Sequence, residues 1–203
     1  MARPRLPVTT ITVLVVTGMV TAAQLVFPPV LAALRRDPQA LADGQWWRTF
    51  SPLFVQAGGW PQIIVNNVAI ALIGTMAERV FGPARWLWLY FGCGVLAEIP
   101  SYLWHPYGGG NSVAGAGLLG GLIGLAMLHW RELPRPARIC VVALPVLAVV
   151  GTALRDNHGG PFLLGIAVAW LFARRDPALR QRIRPPWHDR GQNPAPDATP
   201  SSA

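Results

Sequence analysis

Lysine is absent from this 203-residue sequence, acidic residues number only nine, and 13% of positions carry a charge. A soluble domain ordinarily devotes about a quarter of its residues to charge, so a surface facing mainly water is excluded. Cysteine is scarce as well, and Cys93 and Cys140 lie far apart inside apolar stretches. They show neither a disulfide framework nor metal-ligand spacing. Both read as small core residues, and no metal, nucleotide or redox cofactor is implied. Small residues suited to cleavage are missing after the first apolar stretch, where Phe27, Pro28 and Pro29 stand instead. That pattern argues against a removable signal peptide.

What the chain has in abundance is apolar sequence, 52% of its residues. A helix crosses a hydrocarbon core with about 20 mainly apolar residues, and six stretches approach that: 8–31, 60–81, 86–104, 112–128, 139–154 and 161–172. The last two are short, and Pro145 interrupts the fifth. The expected fold is all-α, a polytopic membrane protein built as a six-transmembrane-helix bundle.

Arginine orients it, because basic residues near span ends favour the cytoplasmic side. With the N-terminus inside, the inner set is Arg3, Arg5, Arg79, Arg85, Arg131, Arg135, Arg138 and the tail arginines from Arg174 to Arg190. The outer set is Arg35, Arg36, Arg48 and Arg155. This imbalance predicts N-in/C-in, which suits an even number of spans. The net charge of +8 is then met by anionic membrane lipids and requires no nucleic acid. Residues 1–175 form the expected membrane domain. The stretch 176–203, basic and rich in proline with little apolar content, is expected to be a disordered cytoplasmic tail. A lysine-free, arginine- and alanine-rich composition is that of a GC-rich bacterial genome, which makes the plasma membrane the expected location.

Polar residues inside spans are costly and often functional. In this topology the outer ends of the second, fourth and sixth helices carry Gln62, Asn66 and Asn67, then Asn111 and Ser112, then Asn157 and His158. Gln62 and Asn66 are four residues apart and share a helix face. Ser112 follows the run Gly108-Gly109-Gly110-Asn111 and opens an apolar helix, so helix-terminal N–H groups surround its hydroxyl and favour an oxyanion there. A serine needs a base to become a nucleophile, and His158 is the histidine at matching depth, with His105 in an outer loop as the rival. Gln62, Asn66 and backbone N–H groups near Ser112 are the candidate oxyanion donors. The implied chemistry is acyl transfer, here peptide hydrolysis. The plainer alternative is that Ser112 only caps its helix and that the small-residue spacings Gly117 to Gly121 and Gly120 to Gly124 only report close helix packing.

Taken in order along the chain, these residues resemble the rhomboid family of intramembrane serine proteases. The stretch 44–54, with Trp47 and Arg48, is similar to the family's first-loop signature. Gln62-Ile-Ile-Val-Asn66 resembles its His-x-x-x-Asn motif, and Gly74, Glu78 and Gly82 fall on its Gly-x-x-x-Glu-x-x-x-Gly positions. Gly110-Asn111-Ser112, followed by Gly117 and Gly120, resembles the Gly-x-Ser nucleophile motif, and His158 with Gly165 resembles the base motif. The resemblance implies a rhomboid-like bundle with a Ser112–His158 dyad working without an aspartate. It implies oxyanion roles for Gln62, Asn66 and Asn111, scaffold roles for Trp47, Arg48, Glu78, Gly110, Gly117, Gly120 and Gly165, and single-span membrane proteins as substrates. Gln62 and Gln56 stand where the family has histidines, Val113 where a glycine follows the nucleophile, and Pro161 where a glycine follows the base. A second register puts Ala116-Gly117 on the nucleophile position and makes the chain an inactive relative. A pseudoprotease that binds transmembrane segments without cutting them is therefore the alternative function, and a small channel is a more distant one.

Overall fold

The computed structural model describes residues 6–181, and within them the fold is all-α. Among the described residues backbone pairing of the β kind is confined to one antiparallel bridge between Arg36 and Gly108. The tail beyond Gln181, including His188 and three of the arginines assigned inside, lies outside the described residues, as do Arg3 and Arg5.

The first helix, α1 (Val8–Val26), stops five residues short of the expected stretch. Phe27 takes an extended conformation before Pro28, as a residue preceding proline prefers, and the chain restarts as α2 (Pro29–Leu34) and α3 (Pro38–Ala42), each with proline in its first turn. Two short 3-10 turns, Trp46–Thr49 and Ser51–Phe54, complete this first loop. A continuous rod then runs from Gly59 to Phe81: α4 (Gly59–Ala69), a π-helical turn Ile70–Gly74 and α5 (Thr75–Phe81). Gly82, at φ +77°, ends it. Pro83 opens α6 (Pro83–Leu87), which continues through a second π-turn, Trp88–Gly92, into α7 (Cys93–Trp104). There follow α8 (Ser112–Leu128), α9 (Arg135–Ala153) and α10 (Gly159–Arg175).

Helix thus covers each of the six apolar stretches, with shifted ends. The sixth is longer than expected because Pro161 sits in the first turn of α10, where the N–H it lacks has no helical partner anyway. Pro145 lies inside α9, which continues through it. By length and composition, Val8–Val26, Gly59–Phe81 and Arg135–Ala153 can cross a membrane, and Ser112–Leu128 is a shorter apolar helix. Helical order continues past residue 175: helix α11 (Pro177–Gln181) follows Asp176, Leu179 is fully buried, and Asp176 pairs with Arg85 at 2.8 Å. An apolar residue that finds a pocket and an acid that finds a partner extend order past the apolar span.

The two ends of the bundle are tied differently. At one end Glu78 accepts from the N–H groups of Thr9 and Thr10 and from the Thr10 hydroxyl, at 2.8–2.9 Å, so its carboxylate caps the positive end of α1. At the other end Arg48, 5% exposed, donates to the carbonyls of Ala32 (2.9 Å) and Arg35 (2.6 Å) at the C-terminal end of α2 and to Gln45 (2.9 Å). Trp47 donates to Ala33 O (3.2 Å) and Ser51 to Leu34 O (2.7 Å). Arg48 therefore has a buried scaffold task, satisfying carbonyls that a helix end leaves open. Glu98, for which the sequence suggests no task, pairs with Arg36 at 2.8 Å with both side chains buried, and joins the first loop to α7.

The central seam is α8 against α10. A Cβ at Gly120 would land on the Phe162 carbonyl, and one at Gly165 on the Gly117 carbonyl. A Cβ at Gly117 would lie 2.7 Å from Leu89 O. These backbones touch, which only glycine permits. Cys93 is buried in this core, whereas Cys140 faces outward on α9, a correction to its reading as a core residue.

Candidate active site

Ser112 is the first residue of α8, and the first bond of that helix runs from Gly115 N–H to Asn111 O. The N–H groups of Ser112, Val113 and Ala114 precede it and have no partner within the helix. His158 stands immediately before α10. Because α8 and α10 meet backbone to backbone, their starting residues come together: Ser112 Oγ lies 2.9 Å from His158 Nε2. Both line an open cavity of about 430 Å³ at the end of the bundle, together with Gln62, Gly110 and Val113.

Asp156, which sequence reasoning passed over, completes the group. Its Oδ1 accepts the backbone N–H of His158 at 2.8 Å, and its two carboxylate oxygens lie 3.2 and 3.1 Å from His158 Nδ1. Burial acts to raise the Asp156 pKa, but hydrogen bonds from the His158 backbone and ring, its charge and the Gly159 N–H outweigh it and hold the carboxyl below its ordinary range. Asp156 is thus an anion throughout the neutral range. A carboxylate only accepts, so the ring hydrogen sits on Nδ1, and Nε2 is left to accept from the Ser112 hydroxyl. The signal in the sequence was an acidic residue two positions before the histidine. His105 also lines the cavity, but its Nε2 contacts the Arg155 carbonyl at 3.1 Å, which requires it to donate there.

Of the three amides expected around the serine, Gln62 alone lines the cavity. Its Nε2 donates to Gly109 O at 3.1 Å and its Oε1 accepts from Gly58 N–H. A Cβ at Gly110 would land on that Nε2, so the glycine two residues before Ser112 makes room for the amide. Asn66 and Asn111 lie behind this wall and are buried. Asn66 donates to Gln56 Oε1 (2.8 Å), and Gln56 donates to Asn111 Oδ1 (3.0 Å). Gln24 closes the cluster by exchanging bonds with the Gln56 backbone at 2.9 and 3.1 Å. Buried amides are stable only when paired, and Gln56 is the hub that pairs them. Trp47, Arg48 and Glu78 stand away from the cavity.

Residues 43–175 match the family model described as Rhomboid domain. The chain is 32% identical to "Rhomboid protease GluP" of Bacillus subtilis over 154 residues, 69% of this chain and 30% of that protein. It is 33% identical to YdcA of the same organism over 120 residues, 58% of this chain and 60% of that one. It is 29% identical to "Rhomboid-like protease 3" of Toxoplasma gondii over 139 residues, 64% of this chain and 52% of that one. The chain therefore spans less than two thirds of the length of each of these relatives.

Proposed function

The chain belongs to the rhomboid family of membrane proteins, and on that premise we propose that it is an intramembrane serine endopeptidase with Ser112 as nucleophile and His158 as general base. The observation that carries this reading is the 2.9 Å approach of Ser112 Oγ to His158 Nε2, with Nε2 free to accept. The Ser112 proton passes to Nε2 as Oγ bonds to the scissile carbonyl carbon, whose π pair moves to oxygen. The Ser112 N–H and the second hydrogen on Gln62 Nε2, the one not given to Gly109, stabilise that oxyanion. His158 then hands its proton to the leaving amine as the C–N bond breaks. Water resolves the acyl-enzyme: its proton goes to His158, its oxygen to the acyl carbon, and Ser112 leaves with the proton.

In this reading the six apolar helical stretches span a plasma membrane, N-in/C-in, with the cavity opening outward to admit water. Helices of 17 to 19 residues, α1, α8, α9 and α10, are about 25–29 Å long, close to a hydrocarbon core of roughly 30 Å. Residues 1–175 are the membrane domain, and the basic chain after 175 faces anionic lipid at the inner surface. Substrates are single-span membrane proteins. Trp47, Arg48, Glu78, Gly110, Gly117, Gly120 and Gly165 act as scaffold, and Asn66 and Asn111 support the oxyanion wall from behind through Gln56.

A second reading is a pseudoprotease that holds transmembrane segments, favoured by the engagement of the Gln62 amide on both sides, with Gly58 and Gly109. The experiment is cleavage of single-span substrates in liposomes by the purified protein, with labelling by a fluorophosphonate probe, beside Ser112→Ala and His158→Ala. Loss of both signals in both variants supports the protease. Bound but uncut substrate with no labelling supports the second reading, and activity that survives Ser112→Ala overturns the assignment of the nucleophile.

A further inference from the structure

We propose that Asp156 is a positioning residue for His158, so that this chain works with a Ser112–His158–Asp156 constellation rather than with a serine–histidine pair alone. The inference rests on the protease reading above. It follows from how the α9–α10 loop is built. Helix α9 closes with the N–H of Asp156 bonded to Gly151 O (2.8 Å) and that of Arg155 to Thr152 O (3.0 Å). This is the double closure of a helix that ends in a left-handed residue. That residue is ordinarily glycine, yet here it is Arg155, at φ +64°, the one non-glycine residue with positive φ among the described residues. Arginine holds this conformation at a cost, and the result is that Asp156 leaves α9 aimed at the base.

The carboxylate then has two tasks that one geometry performs together. Oδ1 fixes the backbone by accepting the His158 N–H, and the carboxylate oxygens face Nδ1 at 3.1–3.2 Å. An anion at Nδ1 selects the tautomer that keeps Nε2 unprotonated, holds the ring plane toward Ser112 and stabilises the imidazolium formed during attack. The other charged or titratable side chains around the cavity do not compete. Arg36 is paired with Glu98 at 2.8 Å, and His105 is turned to the Arg155 carbonyl at 3.1 Å. Asp156 is the sole acid lining the cavity among the described residues. Its depressed pKa agrees with this task.

The competing account is that Asp156 merely caps the start of α10. Asp156→Asn separates the two, because Oδ1 of asparagine can still accept the backbone N–H while its amide no longer presents an anion to Nδ1. The full chain in lipid nanodiscs, labelled with ¹⁵N-histidine, reports the His158 tautomer; fluorophosphonate labelling of Ser112 and kcat and KM on a single-span substrate report the chemistry. In the unmodified protein His158 carries its hydrogen on Nδ1. In Asp156→Asn the Nε2–H tautomer grows, labelling rate and kcat fall about tenfold with KM unchanged, and Asp156→Glu recovers part of the loss. The effect is smaller than the roughly 10⁴ of a buried triad aspartate, since each side chain is 49% exposed and solvent screens the pair. An unchanged tautomer and labelling rate in Asp156→Asn overturns the proposal. If the unmodified protein neither cleaves nor labels, the protease reading fails, and the tautomer comparison still decides whether Asp156 orients His158.

Discussion

Helices α9 and α10 are neighbours in sequence and of similar length, yet they are held by opposite means. α10 presses its backbone into α8 at Gly117, Gly120 and Gly165, and Trp170 donates to Gly124 O across the seam at 2.7 Å. α9 buries only Val141 and Ala148 and turns Ile139, Val142, Val146, Leu147 and Val149 outward. In a bilayer those side chains face lipid, which is as apolar as a protein core and offers no net drive to leave. The difference separates two tasks. The serine and the histidine stand at the starts of α8 and α10, which meet backbone to backbone along their length, while the more exposed α9 carries neither.

The sharpest way to break this contrast is Gly165→Val, which drives side-chain carbons onto the Gly117 carbonyl. It is expected to cost about 3 kcal/mol or more, with fluorophosphonate labelling of Ser112 and thermal stability in detergent lost together. Gly159→Ala tests a close approach of α9 to α10, where the new Cβ would land on the Ala148 carbonyl and the Thr152 hydroxyl. About 1–3 kcal/mol is expected, with hydrogen exchange rising across the C-terminal half of α9 while α8 stays protected. Leu147→Ala, on the outward face of α9 and 63% exposed, should change stability by no more than about 0.5 kcal/mol, measured by the same melt. A large loss there would mean that α9 is packed against something other than lipid.

The helices were legible in the sequence because they depend on local pattern, and Ser112 and His158 were singled out by their depth at two helix starts and by the family resemblance. Apolar run length marks a span, glycines at every third or fourth position mark a seam, and Gly110-Asn111-Ser112 marks a loop that opens a helix. Arg36 with Glu98 was illegible, since 62 residues separate partners that only the folded first loop brings together. The split among the amides was also hidden. Gln62 and Asn66 share a helix face by spacing, yet Gln56, from the preceding loop, draws Asn66 inward and leaves Gln62 to the cavity. Asp156 went unread for a different reason. Its approach to His158 depends on Arg155 adopting a left-handed conformation, which residue identity argues against.

Gln56 and Gln62 stand at positions where the family resemblance leads one to expect histidines. An amide donates and accepts as an imidazole does, but it takes up no proton. The wall behind the serine is therefore electrically silent: four buried amides and one lining the cavity keep the same charge when the surroundings acidify. Acidity therefore leaves the hydrogen bonds of that wall, and with them its shape, unchanged.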